Sequence, residues 1–122
     1  MYKFERLEVY QLALDYIEQV YTLAERLPAA ETYNLGSQIR RAATSIALNL
    51  AEGSTGQSDP EQGRFLGLAL RSLLETVACQ HIIQRRGYVK KCETLLAKLE
   101  ESGRTLARKL QAMRKSLAKA SI

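Results

Sequence analysis

The chain has no tryptophan, one histidine, two prolines and two cysteines in 122 residues. Each shortage excludes something. A single histidine, His81, and two cysteines without metal-type spacing, Cys79 and Cys92, do not supply the clustered ligands of a metal centre. Two cysteines do not build a disulfide framework either, so both read as small buried hydrophobes of a reducing compartment. Aromatic residues make up only 7% of the chain, while Leu and Ala dominate, a bias toward helix over sheet. No uninterrupted apolar run approaches the ~20 residues of a membrane span. The segment Met1–Arg6 lacks the apolar core and cleavage site of a signal peptide, so the expected compartment is the cytoplasm, with no membrane partner. No Ser or Cys sits in a nucleophile motif, and the paired Glu-x-x-His units of di-metal bundles are missing. The expectation is a protein that is not an enzyme and has no catalytic residue, metal or cofactor.

What is present is charge, unevenly spread. The net charge is +5. Residues 1–32 carry three basic and six acidic side chains, whereas residues 88–122 carry nine and three. A chain basic at one end and acidic at the other can attract a polyanion or pair protomers head to tail.

Periodicity divides the chain into four helices, predicted at about 7–27, 34–52, 60–86 and 89–117. In the first, Leu7, Tyr10, Leu14, Ile17, Tyr21 and Ala24 recur at three- and four-residue steps, and Pro28 ends it. In the second, Leu35, Ile39, Ala42, Ile46 and Leu50 form the stripe, with Thr32 or Asn34 as cap and Gly53 as stop. The polar connector from Gly53 to Asp59 lacks the spacing and Lys-Ser/Thr ending of a phosphate loop, and reads as a plain link. Asp59 is the predicted cap of the third helix, with Pro60 in its first helical position. Leu66, Ala69, Leu70, Leu73 and Val77 form one stripe there, and Leu74, Ala78 and Ile82 a second, rotated stripe. The second stripe is either the edge of a broad central face or a subunit interface. The fourth helix has a heptad-like seam, Leu96, Leu99, Gly103, Leu106, Leu110, Met113 and Leu117. Its tail is expected to fray. Short connectors between matched rods give a single-domain, all-α, up-down-up-down antiparallel four-helix bundle.

Two groups of residues stand out as candidate sites. Lys90, Arg104, Arg108, Lys115 and Lys119 fall in a narrow arc opposite the seam of the fourth helix, a line able to follow a phosphate backbone or simply to be solvated. No aromatics interleave with it, so base stacking along it is not expected. On the second helix Gln38, Arg41, Ser45, Asn49 and Glu52 form a polar stripe beside the apolar one. Such half-buried groups need partners, and Ser72, Glu75 and Thr76 of the third helix are within the expected reach. Arg40 or Arg41 is expected to pair with Glu75. The stripe is either a structural network or part of a ligand or subunit site.

Several motifs extend beyond what periodicity requires. Phe4-Glu-Arg-Leu7-Glu-Val-Tyr-Gln11-x-Ala13 is followed by Pro28-x-x-Glu31-x-Tyr33-x-Leu35 and then by Gln38-Ile-Arg-Arg-Ala-Ala-x-Ser45-Ile-x-x-Asn49-x-Ala-Glu-Gly53. Phe65, Ser72-Leu-Leu-Glu75 and Gly87-Tyr88 continue the pattern. The chain thereby resembles the four-helix-bundle proteins encoded in intervening sequences of bacterial 23S ribosomal RNA genes. The resemblance implies an up-down bundle that assembles as a ring-like homopentamer. A related bundle, the accessory protein of diversity-generating retroelements, is a basic pentameric barrel that binds nucleic acid and associates with a reverse transcriptase. The implied role is therefore an oligomer binding RNA or DNA, with a reverse transcriptase as an implied partner. The alternative is a structural adaptor whose basic face binds an acidic protein.

Overall fold

The computed structural model describes residues 1–55 and 58–120. Four helices account for most of them: α1 (Glu8–Glu25), α2 (Leu35–Gly53), α3 (Asp59–Arg85) and α4 (Glu93–Ala120), with short 3-10 turns at Lys3–Arg6 and Ala29–Glu31. There is no strand among the described residues. Part of the expected connector, Gly56 and Gln57, and the last two residues of the expected tail, Ser121 and Ile122, lie outside the described residues, whereas residues 118–120, expected to fray, continue α4.

The helices form a closed square, α1 against α2, α2 against α3, α3 against α4 and α4 against α1. Specific contacts fix the directions. Glu8 meets Lys109, Tyr16 meets Gly103 and Arg26 meets Cys92, so α1 and α4 run antiparallel. Gly53 meets Phe65 and Ser45 meets Ser72, so α2 and α3 do likewise. Gly67 lies against Arg114, giving the same relation for α3 and α4. The result is an up-down-up-down bundle.

The buried face of α1 differs from the predicted one. Val9, Ala13, Tyr16, Val20 and Leu23 point inward, while Leu14 and Tyr21 are 38% and 39% exposed. The two candidate stripes lie one residue apart, about 100° round the helix. The inner one is favoured because its tyrosine hydroxyl finds two partners in the core. The helix also ends three residues before Pro28, with Arg26 as its C-cap.

In α2 the row Leu35, Ile39, Ala42, Ile46 and Leu50 is buried. Asn34 precedes the helix but does not cap it, since its side-chain amide donates to Glu31 Oε1 at 2.9 Å. Gly53 ends the helix where α3 passes closest: a Cβ there would lie 2.6 Å from Phe65 Cβ.

The cap of α3 is Ser58 rather than Asp59; its hydroxyl accepts from the Glu61 N–H, and Asp59 and Glu61 place acidic charge in the first turn. The stripe Leu66, Ala69, Leu70 and Leu73 is buried. Each such fully buried leucine contributes about 1.5–3 kcal/mol of transfer free energy. By length and composition α3 is apolar enough to cross a membrane, at the margin, and 44% of that window is buried inside the bundle. That is also the pattern of a core helix.

Gly87 breaks the chain at φ +75°, a left-handed conformation that suits glycine. The turn it opens delays α4 to Glu93, later than predicted. In that turn the Tyr88 hydroxyl donates to Glu31 Oε2 at 2.9 Å and ties the α3–α4 connection to the α1–α2 connection. Leu96, Leu99, Gly103, Leu106 and Leu110 of α4 face the core, with Met113 and Leu117 half-buried.

Candidate functional site

From Arg104 to its end α4 carries six cations and no acid. Five of them are exposed, and four of these, Arg104, Arg108, Lys115 and Lys119, share one face; the fifth, Arg114, lies over Gly67 of α3. Arg104 to Lys119 spans about 22 Å at 1.5 Å per residue. None of the four makes an ion pair or side-chain hydrogen bond among the described residues. Lys109 is different: its Nζ lies 2.8 Å from Glu8 Oε1 on α1. Lys90 is not part of the helical line. It sits in the turn before Glu93, where the 3.6-residue period that grouped it with the others does not apply. There it borders a surface depression with Arg26, Lys91 and Tyr88.

The neighbouring helix has the opposite sign. Between Glu8 and Glu25, α1 bears four acidic side chains and no basic one. The bundle is thus a dipole across its width, with an acidic α1 beside a basic α4.

Gln38, Arg41 and Ser45 of α2 and Ser72 and Glu75 of α3 line one open groove of about 640 Å³. Part of it is bonded. Ser72 Oγ donates to Ser45 Oγ at 2.9 Å, and Asn49 Nδ2 donates to the Ser45 carbonyl and hydroxyl oxygens at 2.8 and 3.0 Å. The expected pairing of an arginine with Glu75 does not form. Among the described residues the ion pairs are Arg64–Glu61 and Lys109–Glu8. Arg40 turns toward the α1–α2 connection instead, where Nη2 donates to the Thr32 carbonyl at 3.2 Å and Gly36 leaves room for the guanidinium. Arg41 borders the groove with Glu75 but stays more than an ion-pair distance away. Gln38 and Glu52 are exposed, and their side chains take no part in the network.

The second stripe of α3 is open: Leu74 is 62% and Ile82 49% exposed, and Ala78 is exposed between them. A different apolar patch lies across α1 and α2, where exposed Tyr21 and Leu48 border one depression, and Leu14 is exposed two turns before Tyr21 on α1.

A polar chain at the centre of the bundle has no counterpart in the sequence-based site candidates, although Thr76 figures there as a partner. Thr76 donates to the Leu73 carbonyl at 2.6 Å. With its proton committed, its oxygen accepts from the Tyr16 hydroxyl at 2.7 Å. Tyr16 then accepts from Gln80 Nε2 at 2.9 Å. Every direction follows from the one before it. Burial pushes the Tyr16 hydroxyl above the ordinary tyrosine pKa, and the hydrogen bonds with Thr76 and Gln80 oppose that rise. On α4, Gly103 makes room for the ring, since a Cβ there would lie 3.3 Å from Tyr16 Cε1. The signal was present in the sequence. Positions 66, 69, 73, 76, 80 and 83 step by three and four, which puts Thr76 and Gln80 on the core face.

A family model described as 23S rRNA-intervening sequence protein matches residues 5–112. Comparison with curated proteins gives no match.

Proposed function

The chain belongs to the 23S rRNA-intervening sequence protein family, and from that premise we propose that it acts without catalysis, as a protomer of a ring-shaped homopentamer that binds nucleic acid through its basic surface. The observation that carries this reading is the line Arg104, Arg108, Lys115 and Lys119, exposed on one helix face and without an ion pair among the described residues. Opposed charge on α1 and two unlike apolar patches, one on α3 and one across α1 and α2, favour a head-to-tail contact between copies. A contact of that kind closes into a ring when its rotation permits. Five copies at +5 each give about +25, a field strong enough to draw in RNA or DNA. The reading includes a cytoplasmic location, and the likeness to retroelement accessory proteins makes a reverse transcriptase a candidate partner.

The test is binding of a single-stranded RNA as a function of salt. Four phosphates neutralised per protomer give a log–log slope of about −2.8, so affinity falls about 50-fold between 50 and 200 mM salt. Reversing charge at Arg104, Arg108 and Lys115 abolishes binding. Light scattering gives a mass near five times the 13.7 kDa chain. A monomer at micromolar concentration overturns the ring. RNA affinity that is weak even at low salt overturns the nucleic-acid reading. It then favours an adaptor whose basic face holds an acidic protein.

A further inference from the structure

Between α3 and α4 the surface opens into a cleft of about 260 Å³. Tyr16, Gln80 and Gly103 line its inner part, and His81, Glu100 and Arg104 its outer part. Gln80 is only 3% exposed. The polar chain described above uses its Nε2 and leaves Oε1 without a protein partner. That oxygen is not sealed in: the one fully enclosed, unpartnered side-chain nitrogen or oxygen among the described residues is Gln19 Oε1. Gln80 Oε1 therefore keeps contact with the outside, and the cleft is the opening that this side chain lines. Its amide does not flip freely, because Tyr16 needs Nε2 as donor. The cleft thus ends in an oriented acceptor, and Gly103 keeps it open by having no side chain.

A fixed acceptor at the end of a narrow cleft suits a flat group that carries N–H donors on its edge. Arg104 belongs both to this cleft and to the cationic line of α4. A strand whose phosphates lie on Arg104 and Arg108 brings the attached base to the mouth of the cleft. The geometry points to a base-binding pocket: the cleft receives one unstacked nucleobase with an exocyclic amine, which donates to Gln80 Oε1. Adenine, cytosine and guanine carry such an amine. Uracil carries a ring N–H flanked by two carbonyl oxygens, which the acceptors Gln80 Oε1 and Glu100 repel. The pocket for a base within a strand rests on the nucleic-acid reading above, whereas the same chemistry in a free nucleotide does not.

The experiment is a nuclear magnetic resonance titration of the ¹⁵N-labelled full chain, in its own assembly state. The probes are the 5′-monophosphates of adenosine, cytidine and uridine, with ribose 5-phosphate as the base-free control. The Gln80 side-chain amide and the Gly103 backbone amide shift and saturate with the adenosine and cytidine nucleotides. Uridine monophosphate binds at least several-fold more weakly, and ribose phosphate leaves both signals in place. Gly103→Ala narrows the cleft and removes the shifts. If that variant does not fold, Gln80→Met, which keeps the bulk and deletes the amide, gives the same readout at Gly103. Absence of shifts at both positions, or equal shifts with ribose phosphate, overturns the pocket. RNA that binds α4 without moving either signal overturns the pocket alone. Nucleotides that bind the cleft when no strand binds leave the pocket standing and remove the strand.

Discussion

Replacing Tyr16 by phenylalanine removes one oxygen from the middle of the bundle and leaves the ring, 1% exposed, where it is. The apolar contacts of the ring are retained, so the cost isolates the polar chain. Thr76 still donates to Leu73, but Gln80 Nε2 loses its acceptor. A buried donor stripped of its partner costs about 1–3 kcal/mol. Water can enter by the cleft that Gln80 lines, which places the expected loss in the lower part of that range, about 1–2 kcal/mol. Unfolding entropy of about 2.1 cal/mol/K per residue amounts to about 0.26 kcal/mol/K for a chain of this length, so the melting temperature falls by about 4–8 °C. Urea and thermal melts followed by circular dichroism measure it, at one fixed protomer concentration because assembly contributes to stability. Adding Gln80→Met to Tyr16→Phe removes donor and acceptor together and costs less than the sum of the two single changes. A Tyr16→Phe protein as stable as the parent, or a strictly additive pair, refutes the chain as a coupled unit.

Two glycines should respond in opposite directions. Gly53→Ala places a Cβ 2.6 Å from Phe65 Cβ, and the overpacking cost of about 1–3 kcal/mol outweighs the gain of about 1 kcal/mol in helix propensity. Gly63→Ala meets nothing within 4 Å and stabilises by about 0.5–1 kcal/mol, so equal signs in urea melts contradict the α2–α3 crossing. Polar replacement of Leu74 and Ile82 together leaves helicity intact and lowers the mass seen by light scattering; an unchanged mass moves the interface elsewhere. The Tyr16 proton is held more tightly in the folded state than in the unfolded one, so its contribution to stability is whole below the ordinary tyrosine pKa of 10.0 and is lost as pH rises past it. The stability gap between parent and Tyr16→Phe should therefore narrow in alkaline titration, and a gap that widens reverses the sign of the reasoning.

Helix number, order and most of the buried rows were legible because one apolar stripe per helix at a 3.6-residue period leaves few arrangements. Helix α1 shows where that logic stops. It has two apolar stripes one residue apart, and hydrophobicity alone does not choose between them; the choice depends on hydrogen bonds that Tyr16 makes to a helix 60 residues later. Lys90 fails for a related reason. Periodicity extrapolates through a turn as easily as through a helix, and the left-handed Gly87 moves the start of α4 past it. The expected Arg–Glu75 pairing rests on charge and proximity alone. Arg40 finds the Thr32 carbonyl nearer to hand, and a solvated ion pair offers too little to hold Arg41 across an open groove. The groove residues themselves were legible as a stripe, because side chains three and four apart share a face whatever they bond to.

Tyr16 and Gly103 occupy one volume from opposite sides. Among descendants of a common ancestor such positions are exchanged as a pair: a chain with a smaller residue at 16 is free to carry a side chain at 103, and a chain that keeps the aromatic ring is not. Gln80 belongs to the same bargain, since its amide has no inner partner once the phenol is gone. Drift at these three places should be correlated where drift along the solvent faces is independent, and a sequence that changes one alone marks either a weakened bundle or a closed cleft.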